Sequence, residues 1–325
     1  MKMLISGFGL AIRVTLLLLA CSHAGWAQTY PSRPVTLVVP SNAGSSSDQF
    51  ARMIGQTLAK QTGGAAIVED KPGANGIIGV QSMLSAAPDG HTILVTTISP
   101  IIFNKYLYKS LPYDPQKDLI PVGIYAQSAM LLGANPQLSS KDLRSVISFA
   151  RANPGKLNFG YATSTQQLAG ELLQLKSGAK LTFVPYRTNA AMLTALVSGE
   201  IDLAISDPAG FLPFLENKRI RLLSTTASKR LASYQDVPTF VENDVDFTLT
   251  TWNGMFAKTG SSPEILATLS KALRSTLESP EAQAYMKANS YDNFIVTGKA
   301  AADRVQTDLA TWKELTQAAG VVPQQ

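Results

Sequence analysis

The sequence predicts an α/β protein, and three observations carry that expectation. Leu37, Val38 and Val39, closed by Pro40, form a short apolar run of the kind found in a strand buried on both faces. Phe50, Ile54 and Leu58 then recur every four residues with Ala51 beside them, which is the stripe of a core-facing helix. The same order returns further on, with a strand at 157–161, a hydroxyl-rich loop, and a helix at 166–176 carrying Leu168, Leu172 and Leu175 on one face. Strand and helix in alternation argue for mostly parallel sheets with crossover helices.

In chain order, a strand is expected at 66–70, followed by the turn-rich Lys71-Pro72-Gly73-Ala74-Asn75-Gly76 and a helix over 77–86. Pro88-Asp89-Gly90 stops that helix, and His91 opens a third strand reaching residue 98. The stretch 99–119 reads as irregular, and the apolar segment 120–134 holds two strand pieces. A short helix over 143–150 ends at Asn153-Pro154-Gly155. Strands follow at 181–185, 201–206 and 220–226, with helices at 189–198, stopped by Gly199, and at 211–216. The tail reads as mostly helical, with Ser262-Pro263-Glu264 a strong helix start and further helices at 280–289 and 299–319.

Bulk properties narrow the function classes. The chain has 325 residues, of which 45% are hydrophobic and 16% charged, as suits a folded protein of about two domains. Lys2 and Arg13, the apolar run at 14–20 and small residues up to Ala27 read as an export signal ending after Gly25-Trp26-Ala27. A second reading makes Leu18-Leu19-Ala20-Cys21 a lipoprotein box, with lipid on Cys21. Loss of residues 1–27 lowers the net charge from +5 to +3, with no basic run, so nucleic acid is not an expected partner. It also removes the only cysteine and leaves His91 as the single histidine, which excludes thiol chemistry and multi-histidine metal sites. Neither cofactor nor metal is expected.

The loops at the helix starts carry the chemistry. Ser46, Ser47 or Asp48 can N-cap the first helix, whose unpaired N–H groups and dipole make a seat for an anion. Equally, Ser45, Ser46 and Ser47 can serve as caps and turn formers, and Asp48 can itself occupy the N–H groups. Thr163, Ser164 and Thr165 stand in the same position at the second unit, and Thr188 and Asn189 at a third helix start. Asp207 before Pro208 reads as a turn residue or as a grip for a ligand hydroxyl or amine. Trp252 is expected in the core and His91 at the surface or a hinge. A serine hydrolase lacks support, because no Gly-x-Ser-x-Gly elbow surrounds these serines.

Taken together, the segments resemble the Bug family, the extracytoplasmic receptors of tripartite tricarboxylate transporters. The resemblance rests on Val38-Val39-Pro40 with the serine loop and Asp48-Gln49-Phe50-Ala51-Arg52, on Lys71-Pro72-Gly73-Ala74-Asn75-Gly76-Ile77-Ile78-Gly79, and on Pro88-Asp89-Gly90-His91-Thr92. It continues through Gly160-Tyr161-Ala162, Leu168-Ala169-Gly170-Glu171-Leu172, Val184-Pro185-Tyr186-Arg187, Gly199-Glu200-Ile201-Asp202, Trp252-Asn253-Gly254 and Ser262-Pro263. It spans essentially the whole chain after the signal, in order.

The resemblance implies a monomeric, two-lobed periplasmic binding protein of type II-like fold, each lobe a mixed, mostly parallel sheet flanked by helices. Lobe 1 would take residues 28–124 and 227–325, and lobe 2 residues 125–226. A small di-, tri- or aromatic carboxylate would bind between the lobes and pass to membrane transporter subunits, or be reported to a membrane sensor. Backbone N–H groups of the first loop would grip it, which adds Ser41, Asn42 and Ala43 to the candidates. Three departures from the family stand out. Ser41-Asn42-Ala43-Gly44 replaces a Pro-Gly-Gly stretch, the Thr163-Ser164-Thr165 loop is short, and Ser206 stands where an aspartate is usual, with Asp207 one step later.

Overall fold

Val35–Val39 (β1) and the helix after it set the pattern of the fold. In this computed structural model, which describes residues 30–215, 217–318 and 323, β1 pairs in parallel with Ala66–Asp70 (β2) and with Thr92–Thr97 (β3). Ser46–Thr62 (α1) and Ile77–Leu84 (α2) make the two crossovers. The crossover turn before α2 packs its backbone against the side chains of Pro100 and Pro40. A Cβ on Gly76, whose φ is +88°, would lie 2.7 Å from the Pro100 ring, so the turn needs glycine there.

Three further strands complete this sheet in the order β11-β4-β10-β3-β1-β2, where β4 is Leu119–Ala129, β10 is Thr250–Lys258 and β11 is Asp292–Thr297. Two of them come from the tail that reads as mostly helical, which corrects that expectation. β10 lies at the sheet centre between β3 and β4, antiparallel to both. Its middle is buried on both faces, so it lacks the alternation that marks a half-exposed strand, and Asn253 and Gly254 lower its local propensity. Neighbouring strands decide its conformation. The stretch expected to be irregular also winds into turns of helix at Ser99–Phe103, Asn104–Leu107 and Pro115–Asp118.

A second sheet has the order β7-β6-β8-β5-β9. Its strands are Leu131–Ala134 (β5), Leu157–Tyr161 (β6), Leu181–Pro185 (β7), Leu203–Ser206 (β8) and Arg221–Thr225 (β9). Leu143–Ala152 (α3), Ser164–Ser177 (α4), Asn189–Ser198 (α5) and Pro208–Leu215 (α6) flank it, while Pro263–Leu277 (α7), Pro280–Ala288 (α8) and Lys299–Ala318 (α9) follow β10. Both sheets are mixed. The strand–helix–strand units pair in parallel, whereas β5 and β10, entering from the other sheet, pair antiparallel. The result is a two-lobed α/β architecture.

The two connections between the sheets are tied together. Thr226 N–H donates to the Met130 carbonyl at 2.9 Å, Met130 N–H donates to Thr226 Oγ1 at 2.8 Å, and Leu249 N–H donates to the Thr226 carbonyl at 3.0 Å. Behind α1, Phe50 is fully buried and meets Tyr125, Tyr285 and Tyr291 edge-on at 5.2, 5.3 and 5.7 Å. Trp252 is in the core as expected, its indole N–H donating to Asp308 Oδ2 at 2.7 Å. His91 is buried, contrary to the surface reading, and Asp89 Oδ1 accepts its backbone N–H at 3.0 Å and lies 3.3 Å from Nδ1. The export signal, Cys21, Glu216 and Ala319 fall outside the described residues.

Candidate ligand-binding site

The strands that run in parallel present their carboxyl ends to one region, and every hydroxyl-rich loop singled out in the sequence begins there. At the end of β1, Ser41 Oγ and Ser45 Oγ are 2.8 Å apart, and Ser45 N–H donates to the Asn42 carbonyl at 3.1 Å. Ser45 is the N-cap of α1, in extended conformation, with its hydroxyl accepting from Asp48 N–H at 3.3 Å. That corrects the expectation of a cap at Ser46, Ser47 or Asp48 by one to three residues. Asp48 is committed elsewhere. Its Oδ2 accepts Gly44 N–H at 2.8 Å, and its Oδ1 lies 2.8 Å from Arg52 Nε. Ala43 is exposed at the loop tip.

With those groups paired, Ser46 and Ser47 supply the donors of the α1 start that the chain leaves unused among the described residues. Their hydroxyls donate to Asn253 Oδ1 at 3.4 and 3.1 Å. Asn253 is buried on β10 next to a register shift in its pairing with β4, the kind of bulge that re-aims a side chain.

Most of the α4 start is occupied by protein groups. Thr163 caps it, with Gln166 N–H donating to its hydroxyl at 3.3 Å and Gln166 Oε1 accepting Thr163 N–H at 3.1 Å. Ser164 Oγ donates to Asn104 Oδ1 at 2.5 Å, and the Thr165 hydroxyl sits 2.5 Å from Ser99 Oγ, which also accepts Thr165 N–H at 3.3 Å. Asn104 is held for this contact by the Gly73–Gly76 turn, its Nδ2 donating to the Asn75 carbonyl at 3.0 Å. These bonds bring the second sheet's α4 against the end of β3 on the first.

Thr188 is a cap, accepting Ala191 N–H at 3.1 Å. Asn189 Oδ1 accepts from Gln166 Nε2 at 2.7 Å and from Ser206 Oγ at 3.3 Å. Asp207 opens α6, where its Oδ1 accepts Gly210 N–H at 3.0 Å and shares with Asn189 Oδ1 the single Ser206 hydroxyl proton, whose oxygen is 3.3 Å away. Its Oδ2 accepts the Tyr291 hydroxyl at 3.4 Å, and that hydroxyl also meets the side chain of Ser46. Ser46 on the first sheet's side and Asp207 on the second's therefore face each other across one tyrosine hydroxyl. Ser99, Asn104, Asn253, Tyr285 and Tyr291 were not among the candidate residues. Of these only Asn253 carried a local signal, as a polar residue inside an apolar run.

Electrostatics sharpen the picture. Burial raises the Asp207 carboxyl above the usual aspartate range, and the donors from Gly210, Ser206 and Tyr291 offset only part of that. Burial and the negative charges of Asp207 and Asp48 raise the Tyr285 hydroxyl, and burial and Asp207 raise that of Tyr291, so both remain neutral donors. A carboxyl whose folded pKa is raised favours the folded state below its unfolded value, about 3.9, and that contribution is lost as pH rises through the folded value. Asp207→Asn is thus expected to melt higher than the wild type at pH 7, with the difference shrinking as pH falls through the raised folded value and levelling off below about 3.9. Melting curves across that range check it. An Asn variant that melts lower at neutral pH would show Asp207 to be stabilising there.

A family model described as "Tripartite tricarboxylate transporter family receptor" matches residues 50–321. The chain belongs to this family. Among its relatives, Protein BugT of Bordetella pertussis is 30% identical over 257 residues, covering 78% of this chain and 79% of BugT. An adipate-bound protein of R. palustris superposes with a TM-score of 0.86 at 28% identity, covering 91% of this chain and 100% of that one. MatC from Rhodopseudomonas palustris, with bound malate, gives 0.80 at 28% identity and covers 88% and 99%. This receptor is thus a Bug-type solute-binding protein with the two-lobed fold of those structures.

Proposed function

We propose that this receptor captures a small organic carboxylate between its two sheets in the periplasm and hands it to the membrane subunits of a tripartite tricarboxylate-type transporter, without chemical change to the ligand. The reading rests chiefly on the unused N–H groups of Ser46 and Ser47 at the start of α1, where the helix dipole adds to their hydrogen bonds. Similarity to adipate- and malate-bound proteins supports a carboxylate as the guest.

The division of labour differs between the sheets. The α1 start provides the anion seat, while the α4 start clasps Ser99 and Asn104 through Ser164 and Thr165. The shortened second loop favours this arrangement, since it leaves fewer backbone donors to reach a ligand. Lobes divided near Met130 and Thr226 would close by rotation at those paired connections, where few dihedrals need to change. Micromolar affinity corresponds to about 8 kcal/mol. Four to six charge-assisted hydrogen bonds of roughly 1.5–3 kcal/mol each reach that after the costs of association.

The test is a thermal-shift screen of the purified protein against mono-, di- and tricarboxylates, aromatic acids and amino acids. A ligand at a hundred times its Kd adds about 2.7 kcal/mol, so at least one acid is expected to raise the melting temperature with concentration. No shift with any acid at millimolar concentration would overturn the reading. Loss of uptake of the binding acid on deletion of the gene assigns transport, and intact uptake assigns sensing.

A further inference from the structure

The free N–H groups at the start of α1 have side-chain donors beside them. Asn253 is 2% exposed, and its Oδ1 accepts the Ser47 hydroxyl at 3.1 Å and lies 3.4 Å from that of Ser46. Both donors of its amide nitrogen are left without a partner among the described residues. Leaving them unmade in so buried a place costs free energy that an acceptor from outside would recover. The nitrogen keeps part of the residue's small exposure, so a group from solvent can touch it. Because Oδ1 of the same amide reaches the hydroxyls of the two residues that carry the free N–H groups, this nitrogen lies within roughly two hydrogen-bond lengths of the α1 start.

Thr97 adds a fourth group. The ladder between β3 and β10 sets it directly opposite Asn253, so the two side chains leave the same face of the sheet with Cβ atoms roughly 4.5–5.5 Å apart. That face is the one α1 covers, since Tyr125, the partner of Asn253 on β4, meets Phe50 of α1 there. Thr97 is half-buried at the carboxyl end of β3, and its hydroxyl has no hydrogen-bond partner among the described residues. Ser41 and Ser45, at the neighbouring end of β1, also keep contact with solvent. Of the four unused groups, the two backbone N–H groups and the amide nitrogen can only donate, and the hydroxyl can turn to do so. The acceptors beside them are taken: Asn253 Oδ1 by the serines, and Asp48 by Gly44 N–H and Arg52. A carboxylate accepts only, at about four positions, and so matches this set, whereas an amide or ammonium would set donor against donor.

We propose that Asn253 and Thr97 are ligand-binding residues of this receptor, their amide and hydroxyl joining the Ser46 and Ser47 N–H groups around one carboxylate of the guest. This rests on the receptor reading above and adds side chains of β10 and β3 to the backbone donors of α1.

The experiment is calorimetric titration of the purified protein with succinate, adipate, citrate and benzoate, the tightest of which is then titrated into Asn253→Asp, Thr97→Val and Thr97→Ser at pH 8. Asn253→Asp keeps an acceptor for the serine hydroxyls and replaces the amide donors by a carboxylate, since the pH is far above the ordinary aspartate value of about 3.9. It is expected to weaken binding about thirtyfold or more, one charge-assisted hydrogen bond being worth roughly a factor of 10–150. Thr97→Val keeps the shape and removes the hydroxyl, for an expected loss of about tenfold, while Thr97→Ser is expected to stay within about threefold of the wild type. An Asn253 that merely holds the serines predicts no loss in Asn253→Asp. Affinity within about threefold of the wild type in either Asn253→Asp or Thr97→Val, or a loss in Thr97→Ser equal to that in Thr97→Val, overturns the inference and leaves the receptor reading standing. If neither these acids nor any in the wider screen bind, the receptor reading itself fails and this inference with it. Asn253→Ala, with an expected loss of about tenfold, repeats the measurement if the Asp variant does not fold.

Discussion

Ser46→Asp is expected to lower affinity for the best-binding acid at least 100-fold. Ser46 is the first residue of α1 and is 8% exposed. An aspartate at a helix start is favoured by the dipole by about 0.3–1 kcal/mol, which offsets part of the cost of burying it there. The same carboxylate would occupy the N–H groups that seat the ligand's anionic end and would face Asp207 across Tyr291. A 100-fold loss is about 2.8 kcal/mol at 1.4 kcal/mol per tenfold, the size of one or two charge-assisted hydrogen bonds. Ser46→Ala is the control. It removes the long hydroxyl contact to Asn253 and the contact with the Tyr291 hydroxyl but keeps the backbone donor, so a change of less than tenfold is expected. Calorimetry on both variants decides the matter, and unchanged affinity in Ser46→Asp would place the anion elsewhere.

Phe50→Ala is expected to cost about 3–5 kcal/mol of stability, the largest effect of any single truncation near the site. The ring is fully buried and touches Tyr125, Tyr285 and Tyr291 edge-on, so its loss opens a cavity and removes three aromatic contacts together. Tyr291 loses the surface that holds its hydroxyl between Ser46 and Asp207, so the folded fraction should also bind more weakly. Urea denaturation measures the first effect and calorimetry the second. Phe50→Leu keeps much of the volume and should cost less than half as much. A loss below about 1 kcal/mol in Phe50→Ala would mean that the pocket collapses around the smaller side chain.

Local chemistry was legible where one segment determines its own conformation. The strand ending at Val39, the stripe of Phe50, Ile54 and Leu58, and the proline-started helix at Pro263–Leu277 all follow from spacing and capping within a few residues. The serines and threonines at helix starts were legible as a class, because such side chains satisfy N–H groups wherever a helix begins. Which did so and which faced the gap was not. Ser45, Thr163 and Thr188 turned out to be the caps, while Ser46, Ser47, Ser164 and Thr165 reach partners across the molecule. A one-residue difference in where a helix begins turns a side chain by about 100° and exchanges these roles.

By itself, then, the sequence determined an α/β chain with anion-ready helix starts and, through its ordered motifs, its receptor family. Only the tertiary structure decided that β10 would be a central strand, that Asn253 would take both serine hydroxyls, and that Tyr291 would stand between Ser46 and Asp207. Those partners lie 84 to 245 residues apart along the chain, and no local pattern encodes a meeting at that range. Two sheets that trade strands must first assemble, and the site is a by-product of where their strands end.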